Sequence, residues 1–222
     1  MPSEVTIPIT PVPWDEMLAA VGISSAHLPA ITTPGGVAGT LSAETAALLG
    51  MGVDTLVVNG GMDQATGAIG AGSVSSDIIS ETTGAAMAVQ VTTPLPDLRS
   101  GERIALYAHS LPGLYLYVPT LPTGGMSFKW FRDAFGEAEM QAAAASGQDA
   151  YDLLTALAAT VPPGSDGLVM LPYLMGSLSP EENPAARGVF SGFTLRHSRA
   201  HFVRAILEGV AFNLRPNVAV LG

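Results

Sequence analysis

The sequence predicts an α/β fold, because segments of strand and helix character alternate along its 222 residues. The β-rich run 55–58 ends at Gly60 and Gly61, and small helix-compatible residues follow over roughly 63–71. Short apolar runs between 78 and 118, separated by glycine and proline, predict a β meander. An amphipathic segment after Ser198 predicts a final helix. The chain should therefore combine helix-rich parts with a sheet of short strands.

Local signals predict the remaining elements. Ser42 should cap a helix over 43–49 that Gly50 ends, and Pro216 should end the last helix. The other predicted elements are helices at 14–21, 127–135 and 149–159, strands at 78–81, 86–91, 103–107, 114–118 and 167–171, a loop at 28–39, and an alanine tract without an assigned element at 142–145.

The composition excludes several classes of function. The net charge is −10 and Lys129 is the one lysine, so the basic clusters that bind nucleic-acid phosphates are missing. Without cysteine, the chain has no disulfide, thiolate metal site or cysteine nucleophile. The uncharged stretch 104–128 contains three prolines and cannot form one membrane-spanning helix. The absence of cysteine fits a cytoplasmic protein. The first residues lack the basic and apolar regions of a signal peptide.

Asp63 is the main candidate for a catalytic residue. It follows a strand and two glycines and precedes a helix, a place where open α/β sheets bind ligands. One interpretation is a helix cap that accepts an amide proton and contributes ~1 kcal/mol. The other is a general base that takes a proton from a hydroxyl as the oxygen attacks phosphorus. The glycines favour the base, because they let a substrate approach the backbone.

Two further glycine motifs are candidates for phosphate binding. Thr82-Thr83-Gly84 follows a predicted strand, and its hydroxyl and amide groups can hold phosphate oxygens or form an ordinary hairpin turn. Gly124-Gly125 precedes a predicted helix with Lys129, and is either an anion-tolerant helix start or a loop. For each of the two motifs, both alternatives stay open.

Other catalytic and metal motifs do not explain the sequence. His197 and His201 have a zinc-compatible spacing, but no third ligand occurs at a suitable distance along the chain, so no metal ligand is predicted. The sequence has no G-x-S-x-G elbow, Walker A motif or G-x-G-x-x-G motif. An ATP site here is therefore not a P-loop.

Four segments resemble the FGGY family of carbohydrate kinases, and their order and spacing match over roughly residues 14–215. They are VVNGGMDQA at 57–65, LPYLMG at 171–176, PAARGVFSGF at 184–193 and HFVRAILEGV at 201–210. The resemblance implies a partial actin-like, ribonuclease H-like ATPase fold with ATP and Mg²⁺ as cofactors. It implies two parts: residues 1–75, the end of a first, sugar-binding domain, and residues 76–222, the beginning of a second, nucleotide-binding domain.

The resemblance also assigns site residues. Asp63 matches the family's catalytic base, and Gln64 matches a position that can touch the sugar. Thr83, Gly84 and Ala85 fall on the turn that holds the transferred phosphate. Gly125 and Lys129 fall on a segment near the nucleotide phosphates.

The sequence departs from the family pattern at several positions. Ala85 stands where the turn usually carries threonine, and the lost hydroxyl is expected to weaken transition-state stabilisation by ~1–3 kcal/mol unless Thr82 or Thr83 replaces it. The sequence also departs from the family pattern at Ser177-Leu178, Lys129 and Phe193. The family's N-terminal phosphate motif and C-terminal adenosine motif are absent. We therefore interpret the chain as an internal fragment and expect it to be inactive alone.

The predicted activity is ATP-dependent phosphorylation of a sugar hydroxyl, on a ketopentose such as xylulose or a related polyol or sugar acid. The alternative is an actin-like binding or regulatory module without catalysis, which the alanine at position 85 favours. The apolar composition also allows a homodimer. No nucleic-acid or membrane partner is predicted.

Overall fold

The computed structural model describes residues 14–97 and 104–221. The helices are α1 (Asp15–Ala20), α2 (Ala43–Leu49), α3 (Asp63–Gly70), α4 (Gly124–Phe135), α5 (Glu137–Ser146), α6 (Ala150–Ala159), α7 (Arg199–Phe212) and α8 (Leu214–Ala219). The strands are β1 (Val37–Thr40), β2 (Leu56–Val58), β3 (Ile79–Thr83), β4 (Met87–Thr93), β5 (Leu106–Ala108), β6 (Tyr115–Tyr117), β7 (Thr120–Leu121), β8 (Val169–Leu171) and β9 (Val189–Ser191).

The helix α2 forms as its sequence predicts. The Ser42 side chain accepts a hydrogen bond from the amide of Thr45, and Gly50 ends the helix in the left-handed conformation that glycine favours. The strand that pairs with β2 was not predicted. The loop expected at 28–39 is wrong at its end, where β1 lies antiparallel to β2 with Val37 opposite Val58.

The central sheet is antiparallel, with the order β3-β4-β6-β5 and with β7 paired to β4. The predicted strands exist, but the predicted meander is wrong, because β6 rather than β5 lies beside β4. The strand expected at 103–107 is found at 106–108, and residue 103 lies outside the described residues. In the β3–β4 hairpin Thr83 lies opposite Met87, so residues 84–86 form its turn.

The boundaries of two helices differ from the predictions. α4 begins at Gly124 rather than at position 127, and α7 ends at Phe212 rather than at Pro216. Pro216 is instead the third residue of α8. The first amides of a helix have no partner within the helix, so proline costs little there. α5 includes the alanine tract to which no element was assigned.

Two buried clusters hold these elements together. The larger joins α4, α6, α7 and β8 through Phe131, Leu154, Met170 and Ile206, which are 0–4% exposed. The smaller packs Ala65 and Ala68 of α3 against Ala88, Leu116 and Val118 of the central sheet. The smaller cluster places the helix that begins at Asp63 directly on the sheet that carries the β3–β4 hairpin.

Within residues 14–97 and 104–221, no helix has both the length and the apolar character needed to cross a membrane.

Candidate active site

Asp63 is the first residue of α3, and its side chain is exposed. Met62 occupies the capping position, so Asp63 is not the N-cap residue. Its Oδ1 accepts the amide proton of Gln64 at 2.7 Å. The carboxylate is therefore held at the positive end of the helix dipole and faces solvent, where a substrate can reach it.

The Gln64 side chain is directed onto the central sheet. Its Oε1 accepts a hydrogen bond from Nε2 of Gln90 at 2.6 Å, and Gln90 lies on β4. The role of Gln64 in substrate binding remains a prediction.

A cavity of about 410 Å³ brings together four of the five residues predicted to bind phosphate or nucleotide. Its walls are Gly84 and Ala85 from the hairpin turn, Gly125, Met126, Phe128 and Lys129 from α4, and Tyr151 from α6. Thr83 borders the same place, because its Cγ2 lies 3.6 Å from where a Cβ on Gly125 would be. The hydroxyl of Thr83 donates to the carboxylate of Glu81.

The hairpin turn caps α4. The amide of Gly125 donates to the Gly84 carbonyl at 3.0 Å, and the amide of Met126 donates to the Ala85 carbonyl at 3.0 Å. These two amides are therefore occupied and do not point free toward an anion. Of the two interpretations of Gly124-Gly125, the loop is wrong, because both glycines belong to the first turn of α4.

The two glycines are needed for the close approach of α4 to the hairpin. A Cβ on Gly124 would lie 2.7 Å from the backbone nitrogen of Met87, and a Cβ on Gly125 would lie 2.3 Å from the Gly84 oxygen. Both distances are well below van der Waals contact with backbone atoms that cannot easily move. Any larger residue would push the turn away from the helix and change the cavity.

Lys129 lines the cavity but is paired. Its Nζ lies 2.5 Å from Oδ2 of Asp133, one turn further along α4. Hydrogen bonds from Lys129 and from Arg132 lower the pKa of Asp133. Since the Lys129 side chain is 58% exposed, it can turn toward an anion in the cavity, but an anion must then compete with Asp133 for it.

Aromatic contacts shape the opposite wall of the cavity. The rings of Phe128 and Tyr151 lie 5.2 Å apart, and the Arg132 guanidinium stands 4.6 Å from the centre of the Tyr151 ring. This arrangement holds Tyr151 in place beside the glycine turn. Sequence reasoning missed Tyr151 as a cavity residue, because it comes from a separate helix.

His197 and His201 both contact Asp166. Nε2 of His201 lies 3.2 Å from the Asp166 carboxylate, and Nε2 of His197 lies 3.4 Å from the Asp166 carbonyl oxygen. Among the described residues, no three histidine, aspartate or glutamate side chains gather as metal ligands would. The geometry gives both rings structural partners.

A second cavity, of about 750 Å³, lies beside the glycines that precede Asp63. Gly60 and Gly61 line it together with His109 and Ser110, which sequence reasoning missed. Ser110 packs so closely on Gly61 that a Cβ there would lie 2.0 Å from its Oγ. The backbone leading to Asp63 is therefore fixed from this side as well.

The burial of His109 predicts that the stability of the protein depends on pH. The side chain is 6% exposed, and its Nδ1 accepts the Leu111 amide proton at 2.9 Å. Burial lowers the pKa of His109 below its ordinary value of 6.5, and the backbone of Ser73 opposes this shift only in part. The unfolded chain therefore binds a proton more readily than the folded one, so stability is lost as pH falls below 6.5.

We expect His109→Asn, which keeps an acceptor for the Leu111 amide but cannot titrate, to reduce this loss. Urea unfolding at pH 7.5 and at pH 5 would measure the pH dependence of the free energy of unfolding. His27→Asn, the same substitution at an exposed histidine, is the matched control. An undiminished pH dependence in His109→Asn would refute this role of His109.

Comparison with known proteins identifies the class to which this fold and site belong. The chain superposes with a TM-score of 0.75 on xylulose kinase from Rhodospirillum rubrum, at 33% identity over 93% of this chain and 40% of that one. It superposes with a TM-score of 0.76 on gluconate kinase from Lactobacillus acidophilus, at 28% identity and the same coverage. The chain thus has part of an actin-like ATPase fold, as the sequence predicted.

Family models match nearly the whole chain. The model for the C-terminal domain of the FGGY family of carbohydrate kinases matches residues 78–222, and the model for its N-terminal domain matches residues 7–70. The chain therefore belongs to the FGGY family of carbohydrate kinases.

Curated relatives agree with this family. Gluconokinase from Bacillus subtilis is 35% identical over 90% of this chain and 39% of its own length. Xylulose kinase from Lactococcus lactis is 28% identical over 94% of this chain and 40% of its own length. The chain thus spans about 40% of the length of the relatives that it matches. Relatives that act on different sugars match it, so they do not identify one sugar.

Proposed function

We propose that the complete gene product containing these residues transfers the terminal phosphoryl group of ATP to a hydroxyl of a sugar. The acceptor is a ketopentose such as xylulose, or a related sugar acid such as gluconate. The observation that carries the proposal is the joint placement of two features on one sheet. The helix beginning at Asp63 packs on β4, and β4 begins at the turn that forms the cavity with α4.

In the proposed reaction Asp63 takes the proton from the attacking sugar hydroxyl. Its exposed carboxylate suits this role, because a general base must come within hydrogen-bond reach of the proton that it removes. The deprotonated sugar oxygen then attacks the terminal phosphorus of ATP. A bond forms between this oxygen and the phosphorus as the bond from the phosphorus to ADP breaks. Asp63 keeps the proton until it is returned to solvent.

The cavity at the hairpin turn is proposed to hold the phosphates. Gly84, Ala85 and Gly125 present no bulky side chain there, so phosphate oxygens can come close to the backbone. Lys129 provides positive charge once it leaves Asp133. Thr83, at the edge, is the candidate to replace the hydroxyl that Ala85 lacks, provided that it turns from Glu81.

Mg²⁺ is proposed to enter with ATP, where it neutralises charge on the phosphate oxygens. Residues 1–75 and 76–222 are proposed to belong to the sugar-binding and nucleotide-binding domains. The cytoplasmic location and the homodimer remain predictions.

A coupled assay for ADP release tests the proposal on the complete gene product with gluconate, xylulose, glycerol and no sugar. We expect sugar-dependent ADP release with gluconate or xylulose. The 222-residue chain by itself is expected to show none, because it spans about 40% of the length of its relatives. ATP binding without release of ADP on any sugar would contradict the proposal and support a binding module without catalysis.

A further inference from the structure

A buried glutamine connects the helix of the proposed base to the hairpin of the proposed phosphate site. Gln90 is 1% exposed and lies in the middle of β4. Its Nε2 donates to Oε1 of Gln64 at 2.6 Å, and its Oε1 accepts from Oγ of Ser80 at 3.0 Å. Both ends of the Gln90 amide are therefore used, one toward α3 and one toward β3.

Such a buried polar group needs an explanation. An amide in a packed interior is costly unless it is hydrogen-bonded, and an apolar residue of similar volume would avoid that cost. The same strand also buries the apolar side chains of Met87 and Val89, which are 1–2% exposed. Gln90 therefore contributes something that apolar packing at this place cannot.

A hydrogen bond from Gln90 restrains the orientation of α3, which apolar packing does only weakly. α3 contributes only the small side chains of Ala65 and Ala68 to its contact with Ala88, Leu116 and Val118. Contacts between such side chains resist sliding and rotation only weakly, because dispersion has no preferred direction. The Gln90–Gln64 hydrogen bond fixes the first turn of α3 at one rotation and height above the hairpin. The segment that follows α3 is bonded to the same strand, because the Thr92 hydroxyl donates to the Ser73 carbonyl at 2.9 Å.

The hydrogen bond reaches Asp63 through the backbone. Gln64 both accepts from Gln90 and donates its amide to the Asp63 carboxylate at 2.7 Å. Ser80 and Gln90 are opposite residues of the β3–β4 hairpin, and Thr83 and Met87 close the same hairpin next to the turn. One pair of strands thus carries the phosphate cavity at its end and sets the position of Asp63 from its middle.

We infer that Gln90 is a positioning residue, which holds the Asp63 carboxylate at a fixed place relative to the phosphate turn through its hydrogen bond to Gln64. The inference rests on the proposed function of Asp63 as the base. A base displaced by about 1 Å can lose a factor of about 10² in rate, whereas binding of ATP at the turn should hardly change.

The test compares kcat and the KM for ATP in the complete gene product. Gln90→Met keeps the volume and removes both hydrogen bonds, and we expect kcat to fall about 10- to 100-fold with KM for ATP within about twofold of wild type. Gln90→Leu also removes both hydrogen bonds with an apolar side chain, so it should show the same loss. It also serves if Gln90→Met does not fold. Gln141→Met, at an exposed glutamine paired with Glu137, is the control and should keep wild-type kcat.

The decisive variant is the double substitution Asp63→Asn with Gln90→Met. If Gln90 acts through Asp63, the double variant has the same kcat as Asp63→Asn alone. If Gln90→Met lowers kcat by the same factor in both backgrounds, or leaves wild-type kcat unchanged, the positioning role is overturned. Wild-type kcat in Asp63→Asn would instead overturn the proposed base, so the two failures can be told apart.

Discussion

The substitution Asp63→Asn is expected to lower the kcat of the complete gene product by about 10²- to 10⁴-fold, the usual contribution of a general base. Asparagine has nearly the same size and still accepts the amide proton that the Asp63 carboxylate accepts from Gln64 at 2.7 Å. It cannot remove a proton from a sugar hydroxyl. The start of α3 should therefore keep its structure while the chemical step slows.

Steady-state kinetics with the accepting sugar would measure this effect. KM for ATP should stay within about twofold, because the proposed phosphate cavity does not include Asp63. Glu44→Gln is a matched control, since Glu44 is also an exposed acid in the first turn of a helix. It should leave kcat within about twofold of wild type. Equal rates for Asp63→Asn and Glu44→Gln would exclude Asp63 as the base.

The substitution Gly125→Ala is expected to give the second largest effect, on both ATP binding and stability. The added methyl would lie 2.3 Å from the Gly84 carbonyl oxygen, which also accepts the amide of residue 125. Either the hairpin turn or the start of α4 must move. Overpacking of this kind costs about 1–3 kcal/mol of stability, and the moved turn should weaken ATP binding at least about 10-fold.

Calorimetric titration with ATP and thermal unfolding would measure the two effects. Gly67→Ala is the control, because Gly67 lies within α3 and a Cβ there meets no atom within 4 Å. Alanine is favoured over glycine in a helix by up to about 1 kcal/mol, so Tm should be unchanged or higher. Should Gly125→Ala bind ATP as tightly as wild type, the cavity at the turn is not the phosphate site.

The fold was predictable where the signals are local. Ser42 and Gly50 delimit α2 by their side-chain and backbone chemistry, and both act as predicted. β1 was missed, because its pairing partner β2 lies about 20 positions further along the chain and because Pro34, Gly35 and Gly36 directly precede β1. The start of α4 was placed too late, since glycine disfavours helices by propensity and only the contact with the hairpin explains its presence.

The residues that line the candidate site were predictable, but the contacts that their side chains make were not. Gly84, Ala85, Gly125 and Lys129 do line one cavity, although their roles there remain proposals. The pairing of Lys129 with Asp133 and the bonds of Gln90 were missed. Such contacts depend on side-chain directions and on which strands become neighbours. A single sequence specifies these only after the whole sheet has formed.

A structure of the complete gene product with a non-hydrolysable ATP analogue and its accepting sugar would test most directly whether Asp63 and the glycine turn serve one reaction. We expect the terminal phosphate in the cavity that Gly84, Ala85, Gly125 and Lys129 line. We also expect a sugar hydroxyl within about 3.2 Å of the Asp63 carboxylate. A nucleotide bound elsewhere, or a sugar whose hydroxyls lie out of reach of Asp63, would contradict our account.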